Sequence, residues 1–252
     1  MRCVDCDRIK RRCLCAFKPT HSLESIPQAF RLLVIQSEQE RDHYKNSSTF
    51  LGFFIRHYKK IVVNLPSHHT EPLIKAKQWQ NLNSKLETAI GLDSSTTLLY
   101  PSTAQAQSLK LENFNQDTNQ DPAEVTSYKE TSPKTIDLIL LDMTWGHSKR
   151  LIAHCPFLQQ RPRLSLSPNQ IISIEQQLNH MYETTHGLRY GQIRSGKRKK
   201  NEINSFESVL FTLIQQKVLS CDQVEAVWLQ YQAWLRHLED ERQRNKSQTD
   251  KN

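Results

Sequence analysis

The 252-residue sequence is poor in glycine, with only six, and it contains no G-x-G-x-x-G motif. A dinucleotide-binding fingerprint of the Rossmann type is therefore excluded. No apolar run approaches the ~18 residues that a transmembrane helix needs, and Met1–Asp5 begins no apolar secretory signal. We therefore expect a cytoplasmic protein without a membrane partner. In such a compartment, we expect the six cysteines to be free thiols or metal ligands and not disulfides.

Charge is distributed unevenly along the chain, whose 34 Lys+Arg and 26 Asp+Glu give a net charge of +8. Residues 112–133 combine acids with Asn, Gln, Thr and Ser and have almost no apolar side chains. Burial cannot offset the entropy of ordering such a stretch, so we predict a disordered insertion in a surface loop. The cations of one basic run follow each other closely: Arg194, Lys197, Arg198, Lys199 and Lys200. From composition alone, this run is either a solvated surface or a phosphate contact.

Short apolar runs alternate with helical patterns along the chain. The apolar runs lie at residues 30–35, 61–63, 97–100 and 136–141. Continuous hydrophobicity of this kind is typical of parallel strands that are covered on both faces. The helical patterns lie at about residues 40–58, 72–90 and 144–153. The alternation predicts an α/β domain with a parallel sheet.

The last part of the chain has a helical pattern only. Residues 205–244 predict two helices with a break near Ser220, where Ser220-x-x-Gln223 fits a capping box. The final helix carries an apolar stripe, which consists of Val224, Val227, Trp228, Tyr231, Trp234, Leu235 and Leu238. We divide the chain into an N-terminal segment (1–20), an α/β domain (21–215) and a C-terminal helical extension (216–252).

Four thiols lie within 13 residues at the N-terminus, namely Cys3, Cys6, Cys13 and Cys15. This spacing predicts one tetrahedral Zn²⁺ site, which is structural because four thiolates leave no position for water. Surface thiols and a pair of disulfides are the simpler alternatives. The C-x2-C-x6-C part also resembles half of a fungal binuclear zinc cluster that binds DNA, but the second half is missing.

The end of the apolar run at 136–141 carries Asp142, Thr144 and Trp145. Ligands of open α/β sheets bind beyond the carboxyl ends of strands, where an acid, a hydroxyl and an indole can act together. From spacing alone, Asp142 is equally well a helix N-cap and Trp145 equally well a core residue. The segment Leu99–Ser102 ends another run, and we expect it to lie beside Asp142 in a parallel sheet.

The tetrapeptide Asp142-Met143-Thr144-Trp145 resembles the D-x-T-W signature of the DTW-domain family, the tRNA-uridine aminocarboxypropyltransferases. The resemblance extends in order over roughly residues 1–215. The other matching segments are the four cysteines, Glu40 with Asn46-Ser47, Leu98–Ser102, Trp145-x-x-Ser148-Lys149-Arg150, Pro162-Arg163-Leu164 and Ser205-Phe206-Glu207. Met143 departs from the family pattern, which has Gly there and therefore a freer loop backbone. Arg161 also departs, since Leu is usual before the proline.

The resemblance implies an S-adenosylmethionine-dependent enzyme with a SPOUT-like knotted α/β fold. It would transfer the 3-amino-3-carboxypropyl group to N3 of a tRNA uridine and release methylthioadenosine, with tRNA as partner and no obligate protein partner. Asp142 would be catalytic, as a base or as an orienting group. The residues implied for S-adenosylmethionine are Leu99, Tyr100, Pro101, Ser102, Leu141, Thr144 and Trp145. Those implied for RNA are Lys149, Arg163, Arg194, Lys197, Arg198, Lys199 and Lys200.

Two other functions stay open at this point. One is a SPOUT-type RNA methyltransferase, and the other is a zinc-containing nucleic-acid-binding module without catalysis. Beside a tRNA-modifying site, we expect the cations of residues 8–12 to extend the basic surface.

Overall fold

The computed structural model describes residues 1–18, 30–43, 46–67, 69–90, 96–100, 136–181 and 203–249. Within them, a five-stranded sheet with only parallel pairings lies between helices. The prediction of an α/β domain with a parallel sheet is confirmed. The predicted insertion at 112–133 lies outside the described residues.

The strands follow the order β2-β1-β4-β3-β5 across the sheet. They are β1 (Phe30–Ser37), β2 (His57–Val63), β3 (Thr97–Leu99), β4 (Ile136–Asp142) and β5 (Arg163–Leu164). The four predicted strands are confirmed. The two-residue β5 was not predicted, because so short a strand has no apolar run of its own.

The helices of the described residues lie between and after the strands. They are α1 (Glu38–Arg41), α2 (Leu51–Phe54), α3 (Pro72–Ile90), α4 (Trp145–His154), α5 (Pro156–Gln159), α6 (Pro168–Met181), α7 (Ser205–Gln215) and α8 (Glu225–Thr249). The patterns at 72–90 and 144–153 correspond to α3 and α4. No helix among these residues is both long and apolar enough to cross a membrane.

The predicted helix at 40–58 is wrong. Helix α1 ends at Arg41, a single 3-10 turn spans Ser48–Phe50, α2 ends at Phe54, and β2 already begins at His57. Asn and Ser side chains between α1 and α2 form hydrogen bonds with distant residues instead of continuing the helix. Short polar side chains of this type favour non-helical backbone.

The sheet register places three strand ends at one edge. Gln36 of β1 lies opposite Asp142 of β4, and Leu99 of β3 lies opposite Leu140 of β4. Because all pairings are parallel, the carboxyl ends of β1, β3 and β4 meet at this edge. Ligand sites of open α/β sheets are expected there.

Both faces of the sheet are buried in apolar layers. Along β4, Leu138 and Leu140 belong to the cluster formed with α6, α7 and α8, whereas Ile139 and Leu141 belong to the cluster formed with α3, α4 and α5. This alternation explains the continuous apolar run, since each face of β4 contacts its own helical layer.

The C-terminal helices form as predicted. Ser220 N–H donates to Gln223 Oε1 (2.8 Å) and Gln223 N–H donates to Ser220 Oγ (3.3 Å), which is the predicted reciprocal cap. All seven residues of the predicted apolar stripe are buried in the same cluster as β1 and β4. Helix α8 therefore packs into the core of the α/β domain.

Candidate active site

Asp142 is a buried carboxylate, 6% exposed, at the carboxyl end of β4. Its Oδ2 accepts hydrogen bonds from Gln36 Nε2 (2.6 Å), Asn46 Nδ2 (2.7 Å) and Ser48 Oγ (2.7 Å). Its Oδ1 accepts one from Ser205 Oγ (2.6 Å). An ionised carboxylate can accept all four of these bonds, and all four donors are neutral. The negative charge is thus held in place without being cancelled.

The four donors come from separate parts of the chain. Gln36 is in register with Asp142 on the neighbouring strand, and Ser205 is the first residue of α7. Asn46 and Ser48 lie between α1 and α2, where Asn46 Nδ2 also donates to the main-chain oxygen of Glu40 (3.2 Å). Asp142 therefore connects two strands, one loop and one helix terminus.

The amino terminus of α7 is fixed by a capping box. Asn204 Oδ1 accepts from Glu207 N–H (3.0 Å), and Glu207 Oε2 accepts from Asn204 N–H (3.0 Å). Ser47 Oγ donates to Asn204 Oδ1 (2.9 Å), while Tyr231 of α8 donates to Glu207 Oε1 (2.8 Å) and accepts from Asn204 Nδ2. These bonds hold Ser205 at the position from which it reaches Asp142.

Tyr58 of β2 belongs to the surroundings of the same carboxylate. Burial, and secondly the charge of Asp142, raise the pKa of Tyr58 above its ordinary value. The shift moves the phenol further from ionisation, so Tyr58 adds no second negative charge beside Asp142.

The structure excludes the two simpler interpretations of the strand end. Thr144, not Asp142, caps α4, since its Oγ1 accepts from His147 N–H (3.3 Å). Trp145 is 51% exposed and therefore is not a core residue.

The exposed indole of Trp145 belongs to an aromatic stack. Its ring lies 5.0 Å from that of Tyr100 with only 12° between the planes. Lys149 Nζ lies 5.0 Å from the centre of the Trp145 ring, and Arg163 Cζ lies 5.5 Å from the centre of the Tyr100 ring. Cations over aromatic faces stabilise such a stack. Lys149 is exposed, but Arg163 is buried.

The sheet thus brings together one set of the residues that the resemblance implied. These are Leu99, Tyr100, Leu141, Asp142, Thr144, Trp145, Lys149 and Arg163. The others lie outside the described residues, namely Pro101, Ser102, Arg194, Lys197, Arg198, Lys199 and Lys200.

The four N-terminal thiols also meet at one point. The Sγ atoms of Cys3 and Cys15 are 3.6 Å apart, those of Cys6 and Cys13 3.7 Å, and those of Cys13 and Cys3 3.5 Å. Main-chain hydrogen bonds from Cys6 and Asp5 lower the pKa of Cys3 to about 6, whereas burial raises the pKa of Cys15. A bound cation stabilises the thiolate form of each cysteine that it binds. The cluster can hold one metal ion.

The expectation that the cations of residues 8–12 extend a basic surface is wrong for Arg8. Its side chain is buried, and its guanidinium donates to main-chain oxygens. A run of charged residues therefore does not predict a solvated surface where a cationic side chain can donate hydrogen bonds to buried main-chain oxygens, as Arg8 does.

Sequence reasoning also missed Gln36 and Ser48. Gln36 had a usable signal, because it directly follows a continuous apolar run just as Asp142 does. Ser48 had none, since a serine in a polar loop has no distinctive spacing.

Comparison with known proteins agrees with the site. A model of the DTW domain family, which is the tRNA aminocarboxypropyltransferase family, matches residues 1–218. No curated protein and no solved structure matches the chain. The family match supports a tRNA-modifying role in general. The chain belongs to the DTW domain family.

Proposed function

We propose that the protein transfers the 3-amino-3-carboxypropyl group of S-adenosylmethionine to N3 of a uridine in tRNA. The observation that carries this proposal is the buried Asp142 carboxylate at the carboxyl end of β4, followed closely in sequence by Trp145, whose half-exposed ring stacks on the buried Tyr100, in a chain of the DTW family. An anion and aromatic faces together suit a cationic substrate and a nucleobase.

The strand-end residues fit S-adenosylmethionine in their chemistry. The Asp142 carboxylate, bound only by neutral donors, would stabilise a positive sulfonium. Trp145 supplies exposed aromatic surface over the buried Tyr100. Leu99 and Leu141 are buried at the ends of their strands, in the apolar layers on opposite faces of the sheet. We assign S-adenosylmethionine to these residues with Thr144, Pro101 and Ser102.

The reaction forms one bond and breaks one. The N3 atom of uridine attacks the carbon of the aminocarboxypropyl group that is bound to sulfur. The carbon–sulfur electron pair stays on sulfur, and neutral methylthioadenosine leaves. The N3 proton passes to a base, for which Asp142 Oδ1 is our candidate because Oδ1 accepts one bond where Oδ2 accepts three.

The tRNA substrate requires a basic surface and an accessible base. Uridine N3 lies on the Watson–Crick edge, so the base must be unpaired or flipped. Lys149 is exposed beside Trp145 and is suited to a phosphate contact, as are Arg194 and residues 197–200 of the basic run. Arg163 is buried and lies against the face of the Tyr100 ring. Because it is buried, we assign it to positioning that ring and not to a direct phosphate contact.

We further propose that the α/β domain has the knotted SPOUT-like fold. We also propose that the cysteine cluster binds one structural Zn²⁺. Zinc–sulfur bonds of ~2.3 Å place tetrahedral sulfurs about 3.8 Å apart. Three of the distances between Sγ atoms are 3.5 to 3.7 Å and all four Sγ atoms lie within 4.8 Å of one another, which supports this geometry. Four thiolates fill the coordination sphere, which supports a structural role.

The experiment that tests the proposed reaction is incubation of the purified protein with S-adenosylmethionine and total tRNA, followed by analysis of the small-molecule product. Methylthioadenosine, together with a uridine of increased mass in the tRNA digest, is the expected result. S-adenosylhomocysteine would instead indicate methyl transfer. Absence of both products, in protein that binds tRNA, would leave a binding module without catalysis.

A further inference from the structure

We infer that Arg8 is a positioning residue for Asp142, through which the N-terminal cysteine segment controls the geometry of the site. The inference rests on the proposed function for its effect on the reaction, but not for the contacts themselves. It assigns to one buried guanidinium the coupling between the four cysteines and Asp142, which lies more than a hundred residues further along the chain.

The main chain of Arg8 belongs to the cysteine turn. Its carbonyl oxygen accepts from Cys3 N–H (2.7 Å), and Asp7 N–H donates to the carbonyl oxygen of Cys3 (3.0 Å). A bridge between Arg2 and Ile9 closes the same turn on its outer side. The position of Arg8 is therefore set by the conformation that brings the thiols together.

The side chain of Arg8 leaves this turn and enters the protein. It is 2% exposed, and its Nη1 and Nη2 donate to the main-chain oxygens of Asn46 (3.0 Å) and His43 (2.9 Å). A buried cation is costly unless it is hydrogen-bonded, and bonds from an ionised donor are about twice as strong as neutral ones. The guanidinium therefore fixes the backbone at both ends of the segment 43–46.

Asn46 carries the effect onward to the carboxylate. Its main-chain oxygen is bound by Arg8, and its side-chain amide donates to Asp142 Oδ2 (2.7 Å). Loss of the guanidinium removes one of the bonds that hold the backbone of Asn46, and it leaves the bond from Asn46 N–H to the His43 oxygen (3.0 Å). We expect the amide of Asn46 to shift relative to Oδ2 as a result. Small displacements near reacting groups cost large factors in rate, so the effect falls on catalysis more than on folding.

A double-mutant cycle tests this route. We expect Arg8→Ala and Asn46→Ala each to lower kcat for transfer by about tenfold or more. If Arg8 acts through Asn46, the double variant is no slower than Asn46→Ala within about threefold. Two rate losses that multiply would overturn the inference.

A matched control separates positioning from stability. Ile174→Ala removes buried volume from α6, far along the chain from both residues, and we expect it to lower Tm while kcat stays within about threefold. The inference also fails if Ile174→Ala, at an equal loss of Tm, slows transfer as much as Arg8→Ala. Arg8→Lys retains the charge and one donor direction, so it should restore part of kcat.

A second readout needs no activity. The side-chain amide signals of Asn46 can be assigned in a ¹⁵N–¹H NMR spectrum by their absence from Asn46→Ala. We expect these signals to shift in Arg8→Ala and to return toward their original positions in Arg8→Lys. Unmoved signals would contradict the inference even if transfer is confirmed, whereas shifted signals would support it even if the reaction proves to be another one.

Discussion

At the scale of single residues, the hydrogen bonds of Asp142 explain why a charge can persist inside the domain. Four neutral donors satisfy the carboxylate without pairing it with a cation. An arginine or lysine at any of these positions would cancel the negative charge that we propose for the sulfonium site. The amide and hydroxyl donors keep the charge available to a substrate instead.

Trp145 is 51% exposed just beyond the carboxyl end of β4, where its ring stacks on Tyr100. We expect Trp145→Ala to lower kcat/KM by about tenfold or more, because one stacking contact with a base contributes ~1–3 kcal/mol. Its Tm should change little, since about half of the side chain is already exposed. Steady-state kinetics with both substrates measures the effect. Leu73→Ala, on an exposed residue of α3, is the control, and equal kinetics of the two variants would contradict a binding role.

At the scale of elements, helix α8 stabilises the site from a distance. It lies beyond the family match at residues 1–218, yet Tyr231 bonds to both partners of the capping box of α7. Ser205, the first residue of α7, donates a hydrogen bond to Asp142. The C-terminal helix therefore supports the terminus that supplies one of the four donors.

Replacing Tyr231 tests this support. Tyr231→Phe leaves Glu207 Oε1 and Asn204 Nδ2 without this partner in a buried position. We expect the free energy of unfolding to fall by about 1–3 kcal/mol. Urea denaturation followed by tryptophan fluorescence measures it. An unchanged midpoint would show that the hydroxyl contributes nothing to the terminus of α7.

The cysteine segment is the second element with a testable role. We expect one zinc per chain in protein purified without chelator, and we expect Cys6→Ser to reduce stability or tRNA binding more than S-adenosylmethionine binding. Elemental analysis and thermal denaturation provide the measurements. Cys221→Ser, outside the cluster, should retain the zinc. Metal-free wild-type protein of unchanged Tm would contradict a structural metal.

At the scale of the whole molecule, the sequence predicts what depends on local pattern. The apolar runs predict the strands, parallel pairing predicts that Asp142 and Leu99 end at one edge, and close spacing predicts the thiol cluster. The prediction of a helix at 40–58 was wrong because polar side chains of this segment form hydrogen bonds with residues about 90 to 160 positions away. No local pattern contains such contacts, and the burial of Arg8 escaped prediction for the same reason.

Charge acts on this scale as well, through the basic run near position 200. Neutralising Lys197, Arg198, Lys199 and Lys200 should weaken tRNA binding and reduce the slope of log K against log salt by about 3, if each cation meets a phosphate. Titrations at several salt concentrations measure the slope. Neutralising Lys75, Lys77 and Lys85 of α3 is the control. An unchanged slope would show that the basic run is a solvated surface without phosphate contacts.

The most direct measurement compares Asp142→Asn with the wild-type protein in single-turnover transfer to tRNA. The amide fits the same bonds, because its oxygen can accept from Gln36, Asn46 and Ser48 while its NH₂ group donates to Ser205 Oγ. Only the charge is lost. We therefore expect an unchanged fold, S-adenosylmethionine affinity within about tenfold, and a transfer rate lowered by about a hundredfold or more. A folded Asp142→Asn protein that forms the modified uridine at nearly the wild-type rate would contradict a catalytic role for the Asp142 carboxylate.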